Sequence, residues 1–141
     1  MDDFDELLIE RDCARVITEL SRAIDELKFA DALNMFTEDA VFIRRGEPLI
    51  GRNAIGEFFA KRPKNQVTRH FLANTIINIE GLNKATAVTS VFVFRHIGAE
   101  PSSVLPPPVP HPDTVGEYRD TLIREVDGWQ ICHRETGEFF S

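Results

Sequence analysis

The sequence predicts an α+β fold, with N-terminal helices packed on one face of a strongly curved, mainly antiparallel β-sheet. Three observations point there. Residues 4–27 repeat apolar side chains at spacings of three and four, which is the period of an amphipathic helix. From Val67 onward the composition turns β-branched, with polar and apolar residues alternating. Near the C-terminus Asp127-Gly128 joins two such runs, a strong signal for a tight hairpin. Helices followed by strands sort into separate layers rather than into alternating βαβ units.

Each element has its own local reason. Leu8, Cys13, Val16, Ile17, Leu20, Ile24 and Leu27 mark the buried stripe of a long helix. Its first turn is acidic, as the helix dipole favours. A bend near Lys28 precedes a shorter apolar period, Phe29, Ala32, Leu33 and Phe36, which ends at Thr37-Glu38-Asp39. Val41 to Ile43 reads as a short strand, ending in charges and Gly46. Gly51-Arg52-Asn53 opens a third helix with Ile55, Phe58 and Phe59 on one face, and Pro63 stops it. Val67–Ile79 and Ala85–Ile97 form two long strands around the turn Glu80-Gly81-Leu82-Asn83. The near-continuous apolar run in the second implies burial on both faces. Residues 98–113 hold six of the 8 prolines, too many for a central strand, so an extended surface loop is expected. Strands at Thr114–Val126 and Trp129–Phe139 close the chain.

Composition narrows the function. The 141 residues suit one domain, 1–141, long enough to bury about 70% of its unfolded surface. Sixteen basic residues against 23 acidic ones give a net charge of -7, and the basic ones do not cluster, which disfavours nucleic acid as partner. The two cysteines are too few for a disulfide framework and lack metal-site spacing. The acidic start is unlike a secretory signal, and no apolar run approaches the ~18 residues of a membrane span, so the expectation is a cytoplasmic protein without a membrane partner. Phosphate-cradling, dinucleotide, nucleophile-elbow and zinc-protease motifs are absent, and no cofactor or metal is expected. What remains is acid–base chemistry by histidine and carboxylate.

His70 is the first candidate. Alternation puts it on one strand face with Leu72, Asn74 and Ile76, a polar pair among apolar neighbours, as in a ligand pocket. A core histidine bonded to backbone is the alternative. Asp25 stands near the end of the long helix, where the dipole disfavours an anion. It is either solvated or held by a partner inside the fold. Tyr118 is the only tyrosine and shares a face with Asp120, Leu122 and Arg124; it serves as a pocket hydroxyl or as packing. Trp129, Ile131 and His133 share one face of the last strand, opposite Cys132 and Arg134, and Trp129 reads as packing. Arg134 either holds an anionic substrate or pairs with Glu135 or Glu117. His96 and His111 are expected at the surface, and Cys13 is expected as an inert core thiol. Cys132 stays open.

Several segments fall in a familiar order: Leu20-Ser21-Arg22-Ala23-Ile24-Asp25, Phe36-Thr37-Glu38-Asp39-Ala40, Thr68-Arg69-His70, and Gly116-Glu117-Tyr118-Arg119-Asp120 through Trp129-Gln130-Ile131-Cys132-His133-Arg134. Together they resemble the SnoaL-like branch of the NTF2-like superfamily, whose fold is a cone. Within it the chain looks most like the group containing scytalone dehydratase and hexachlorocyclohexane dehydrochlorinase. In that group a helix-borne aspartate orients a strand-borne histidine that removes a proton from substrate; Asp25 and His70 match those positions. The resemblance therefore implies a cofactor-independent, dehydratase-like lyase or isomerase acting on a small apolar or aromatic molecule. Asn74, Tyr118 and Arg134 would serve substrate binding. It also implies a homodimer or homotrimer. A non-catalytic ligand-binding module, or a structural partner like a dioxygenase small subunit, is the rival on the same fold. The dehydratase's tyrosine before the aspartate is Ile24 here, and the dehydrochlorinase's lysine five residues earlier is Leu20, so neither named activity transfers.

Overall fold

The computed structural model describes residues 1–98 and 111–140. The chain opens with helix α1 (Asp3–Asp25), capped by a reciprocal pair: Asp2 accepts from the Asp5 N–H, and Asp5 accepts from the Asp2 N–H. Of the predicted stripe, Cys13, Ile17 and Leu20 are buried, beside Ile9, Ser21 and Ala23, while Leu8, Val16 and Ile24 are half-buried and Leu27, past the helix end, is exposed. The helix stops abruptly. Lys28 N–H reaches Ala23 O at 2.8 Å and Leu27 N–H reaches Ile24 O at 3.1 Å, a Schellman ending with Leu27 in the left-handed region at φ 62. Helix α2 (Phe29–Asn34) follows at once.

Where the sequence implied a helix end at residues 37–39, strand β1 (Phe36–Arg44) is already under way. It folds back onto β2 (Glu47–Ile50), a strand the apolar pattern did not reveal. Arg45 (φ 50) and Gly46 (φ 78) make the two-residue turn, both in the left-handed region that such hairpins need. Helix α3 (Arg52–Ala60) starts at Gly51, and its Arg52 guanidinium donates to the Phe36 carbonyl, tying the helix to β1.

The remaining strands, β3 (Gln66–Gly81), β4 (Lys84–Ile97), β5 (Thr114–Glu125) and β6 (Gly128–Phe140), match the predicted run. The sheet has six strands in the order β2-β1-β6-β5-β4-β3: the four of the predicted antiparallel run, the short strand expected at Val41–Ile43, and the unforeseen β2. Every neighbouring pair is antiparallel except β1 with β6. Register shifts in β3, and between β5 and β6, insert bulges that bend the sheet. At one of them Gly116 lies so close to the Gly137 carbonyl that a Cβ would overlap it, so glycine is required there.

The three helices cover the concave face. Cys13, Ile17, Leu20, Phe36, Ile55, Leu122 and Ile131 form the centre of the core. The expectation that β4 is buried on both faces is corrected. Its residues alternate, with Val91 and Val93 buried while Phe92 is 42% exposed. The expected proline loop lies mostly in residues 99–110, outside the described residues. His111 at its end is exposed as expected, whereas His96 is half-buried rather than exposed.

Candidate active site

Asp25 is the last residue of α1, and the sharp Schellman ending keeps the chain from continuing over β3. Its carboxylate meets β3 at Thr68 and His70. Oδ2 accepts from the His70 backbone N–H at 2.8 Å, and Oδ1 accepts from Thr68 Oγ1 at 2.9 Å. The same Oδ1 lies 2.6 Å from His70 Nδ1. The Asp25 and His70 side chains are only 9% and 11% exposed. Burial works against an ionised Asp25, but the hydrogen bonds from the His70 ring, the His70 backbone and Thr68 outweigh it and hold the carboxyl below its ordinary range. The carboxylate therefore accepts from Nδ1, and Nε2 is the ring nitrogen that Asp25 does not engage. The helix-end dipole cost is offset by these three donors, and Arg69 Nη1 adds a donor to the Asp25 backbone carbonyl at 3.4 Å.

His70 forms part of the wall of a cavity of about 440 Å³, within the usual range for small-molecule sites. Apolar walls come from Ile24, Phe42, Phe58, Phe59, Val91 and Val93. Tyr118 and Arg134 line the same space. Burial raises the Tyr118 phenol above its usual value, so it stays protonated and able to donate. Its ring lies 4.0 Å from the Arg134 guanidinium.

Arg134 does not pair with Glu135 or Glu117. Its partner is Asp120, through two bonds of 2.7 and 3.0 Å, both side chains being almost fully buried. The reason is a bulge. Thr121 faces His133 and Leu122 faces Ile131, so Cys132 is an extra residue and the side chains that follow it, Arg134 among them, change face. Arg134 thus joins Trp129 and Ile131 on the buried side, the reverse of the expected arrangement.

Asn74 stands apart from the other candidates. It is exposed, has φ 54, and sits in the β3 bulge between Ala73 and Ile76, which breaks the alternation that placed it beside His70. It does not line the cavity. The structure therefore gathers His70, Asp25, Tyr118 and Arg134, and leaves Asn74 outside.

Sequence reasoning missed Thr68 and the basic residues of the cavity other than Arg134. Thr68 sits two positions before His70, so strand alternation alone puts both on the inner face. The arginines come from separate elements, and no local spacing links them. Of the thiols, burial, followed by the neighbouring Asp12 charge, pushes Cys13 up to about 12, which keeps it inert. Cys132 directs its Sγ at the Thr121 carbonyl, and burial raises it too. Among the described residues no three His, Cys, Asp or Glu side chains gather as metal ligands, and no helix is long and apolar enough to cross a membrane.

Comparison with known proteins agrees with this architecture. The SnoaL-like domain family matches residues 5–135. A candidate scytalone dehydratase from Novosphingobium aromaticivorans superposes with a TM-score of 0.81 at 19% identity, covering 99% of this chain and 89% of that one. A Mycobacterium tuberculosis protein described as of unknown function gives a TM-score of 0.80 at 23% identity, with 98% and 76% covered. A type 2 hexachlorocyclohexane dehydrochlorinase gives 0.80 at 13% identity, with 99% and 90% covered. At these identities the likeness is one of fold. No curated protein sequence matches the chain. Matched over nearly its whole length and carrying the same helix-capped, curved sheet, the chain belongs to the SnoaL-like domain family.

Proposed function

We propose that this protein is a cofactor-independent lyase or isomerase that removes a proton from an acidic C–H of a small molecule. The observation behind the reading is the Asp25–His70 pair, with His70 in the wall of a cavity that has apolar sides. In this scheme Asp25 fixes the imidazole tautomer, and the His70 Nε2 lone pair accepts the substrate proton. The electron pair of the broken C–H bond either expels a leaving group on the neighbouring carbon or is reprotonated elsewhere by the imidazolium. Asp25 stabilises that imidazolium through the bond it already makes. Tyr118, kept neutral by burial, hydrogen-bonds the substrate oxygen on which charge develops. Thr68 is a positioning residue, since it touches Asp25 and not the reacting atoms. Proton transfer of this kind contributes about 10²–10⁴-fold, and the walls supply the water-poor setting for the rest. Two structural neighbours bear the names of eliminating enzymes, a dehydratase and a dehydrochlorinase, in keeping with this class.

The test begins without substrate. In wild-type protein and in Asp25→Asn, the four histidines are titrated by NMR, with His70 assigned by substitution. Loss of the carboxylate is expected to move the His70 ring signals more than those of the other three histidines, because Asp25 Oδ1 lies 2.6 Å from His70 Nδ1. With a substrate in hand, the rate is expected to rise with pH across the interval where imidazoles deprotonate, roughly pH 5 to 8. A His70 titration indifferent to Asp25, together with tight ligand binding and no turnover, would make the cavity a binding module.

A further inference from the structure

The chain is acidic overall, yet its cavity is not. Six cationic side chains line it, Arg44, Arg45, Lys61, Arg62, Arg95 and Arg134, against two carboxylates, Glu117 and Glu138. Three of the cations are neutralised by the protein itself. Arg134 is matched by Asp120 at 2.7 Å, Arg45 by Glu138 at 2.9 Å, and Arg95 Nη1 by Asp113 at 2.9 Å. Glu117 is turned to Arg119, 2.7 Å away, as an ion contact without hydrogen-bond geometry. Among the described residues no carboxylate comes within ion-pair distance of Arg44, Lys61 or Arg62.

The guanidinium groups are also anchored. Arg44 lies 4.3 Å from the Phe58 ring centroid, and Arg62 lies 5.4 Å from that of Phe29. Arg62 spends its N–H groups on neutral oxygens, Thr68 Oγ1 and, in the amide orientation that satisfies both groups, Gln66. Arg44 has no hydrogen-bond acceptor among the described residues. Arg95 keeps its Nε buried without a partner. Burial, and then the neighbouring cations, including Arg95 for both, hold Arg44 and Arg62 below the usual arginine value, so each of them is repelled by Arg95. A preformed cluster of stacked, mutually repelling guanidinium groups beside apolar walls is complementary to an oxyanion on an apolar body.

We propose that the substrate is an amphipathic carboxylic acid, its carboxylate held by Arg44 and Arg95 and its apolar body against Phe42, Phe58 and Val93. This names a substrate class for the proton-transfer site above and rests on that reading for turnover, though not for binding. It revises the expectation of a largely apolar ligand: the apolar part remains, with a charge at one end. Arg62 joins the two halves of the site, because Thr68 accepts from Arg62 and donates to Asp25.

The test is calorimetric binding of three probes of one shape, 2-naphthoate, 2-naphthamide and 2-naphthyl phosphate. The acid is expected to bind at least tenfold more tightly than the amide, the scale of one or more hydrogen bonds to a charged group. Arg44→Gln is expected to remove most of that preference, with Arg44→Lys intermediate. His70→Gln is expected to keep it, so a failure of proton transfer and a failure of anion recognition are read separately. Should Arg44→Gln not melt cooperatively, the wild type decides: raising salt from about 20 mM to about 500 mM is expected to shrink the acid's advantage and leave the amide unchanged. Equal binding of acid and amide, no binding of either, or a folded Arg44→Gln that keeps the preference would each overturn the proposal. Tighter binding of the naphthyl phosphate than of the naphthoate would overturn the carboxylate assignment in favour of phosphate.

Discussion

Asp25 illustrates how one side chain can be both anchor and reagent holder. A carboxylate at the C-terminal end of a helix is unfavourable alone, and this one is stable because it accepts from Thr68, the His70 backbone and the His70 ring. Its pKa is depressed below the unfolded value near 3.9. The sign follows. A depressed carboxyl contributes stability that is present above the unfolded pKa and is lost as pH falls through the folded one. Asp25→Asn is therefore expected to cost about 2 kcal/mol near pH 6, the scale of hydrogen bonds to a charged group. That difference should close as the pH is lowered past about 4 toward 2, where the wild-type carboxyl is protonated too. Urea unfolding of both proteins at several pH values checks this, and a constant gap would mean that the charge of Asp25 contributes nothing. Both residues of the pair were visible as candidates in the sequence, each with a structural alternative. Their contact was implied by the family resemblance but not by spacing, because it spans 45 positions and depends on where α1 stops. The stop itself uses Leu27 at φ 62, a conformation that nothing in its residue type announces.

Among the elements, the sheet shows where alternation is a sound guide and where it fails. It places Tyr118, Asp120 and Leu122 together correctly, since β5 runs regularly through them. It fails on β6, because the extra residue at Cys132 reverses the side chains that follow, Arg134 among them, and on β3, where the bulge releases Asn74 to the surface. A single inserted residue leaves no mark on composition, so the period alone cannot reveal it. The same holds for β2: Arg45-Gly46 is a hairpin turn without the usual asparagine or aspartate before its glycine, and the short Glu47–Ile50 run has little alternation of its own. The β6 bulge has an energetic consequence. By bringing Arg134 to the buried side it creates a bidentate ion pair with Asp120, both residues 3% exposed or less. Removing one partner of such a pair strands the other charge. Asp120→Asn is accordingly expected to cost about 3–5 kcal/mol by thermal or denaturant unfolding, whereas an exposed pair such as Arg15–Glu19 is worth about 0.3–0.5 kcal/mol. A small effect at Asp120 would mean that Arg134 finds another acceptor, with Glu117, also in the cavity wall, the first to examine.

On the scale of the whole molecule, the two faces of the sheet have opposite tasks. The concave face, under the helices, contains the core and the cavity. The convex face of β3 and β4 presents Val67, Phe71, Ile76 and Phe92, which are 44%, 57%, 63% and 42% exposed. Phe71 packs edge-on to Phe94, with ring centroids 5.7 Å apart, so these side chains form a contiguous apolar surface rather than scattered exceptions. Contiguous exposed patches of this kind mark interaction surfaces on soluble proteins. The alternation in β4, where Val91 and Val93 point into the cavity and Phe92 points away, ties the two faces together: one strand builds the site on one side and the patch on the other. We propose that a second or third copy of the chain covers this face, the homodimer or homotrimer that the family resemblance implies. Sedimentation at micromolar concentration is then expected to give the mass of a dimer or trimer, and Phe71→Glu, which places a charge at the centre of the patch, to shift it to the 16.0 kDa monomer. Because His70 adjoins Phe71 on the same strand, covering the outer face also restrains the strand that positions the base. Phe71→Glu is therefore expected to lower turnover along with the assembly, since Phe71 packs on Phe94 across the two strands that carry the patch. A wild-type chain that sediments as a monomer at every concentration would refute the assembly and assign the patch to a different kind of partner.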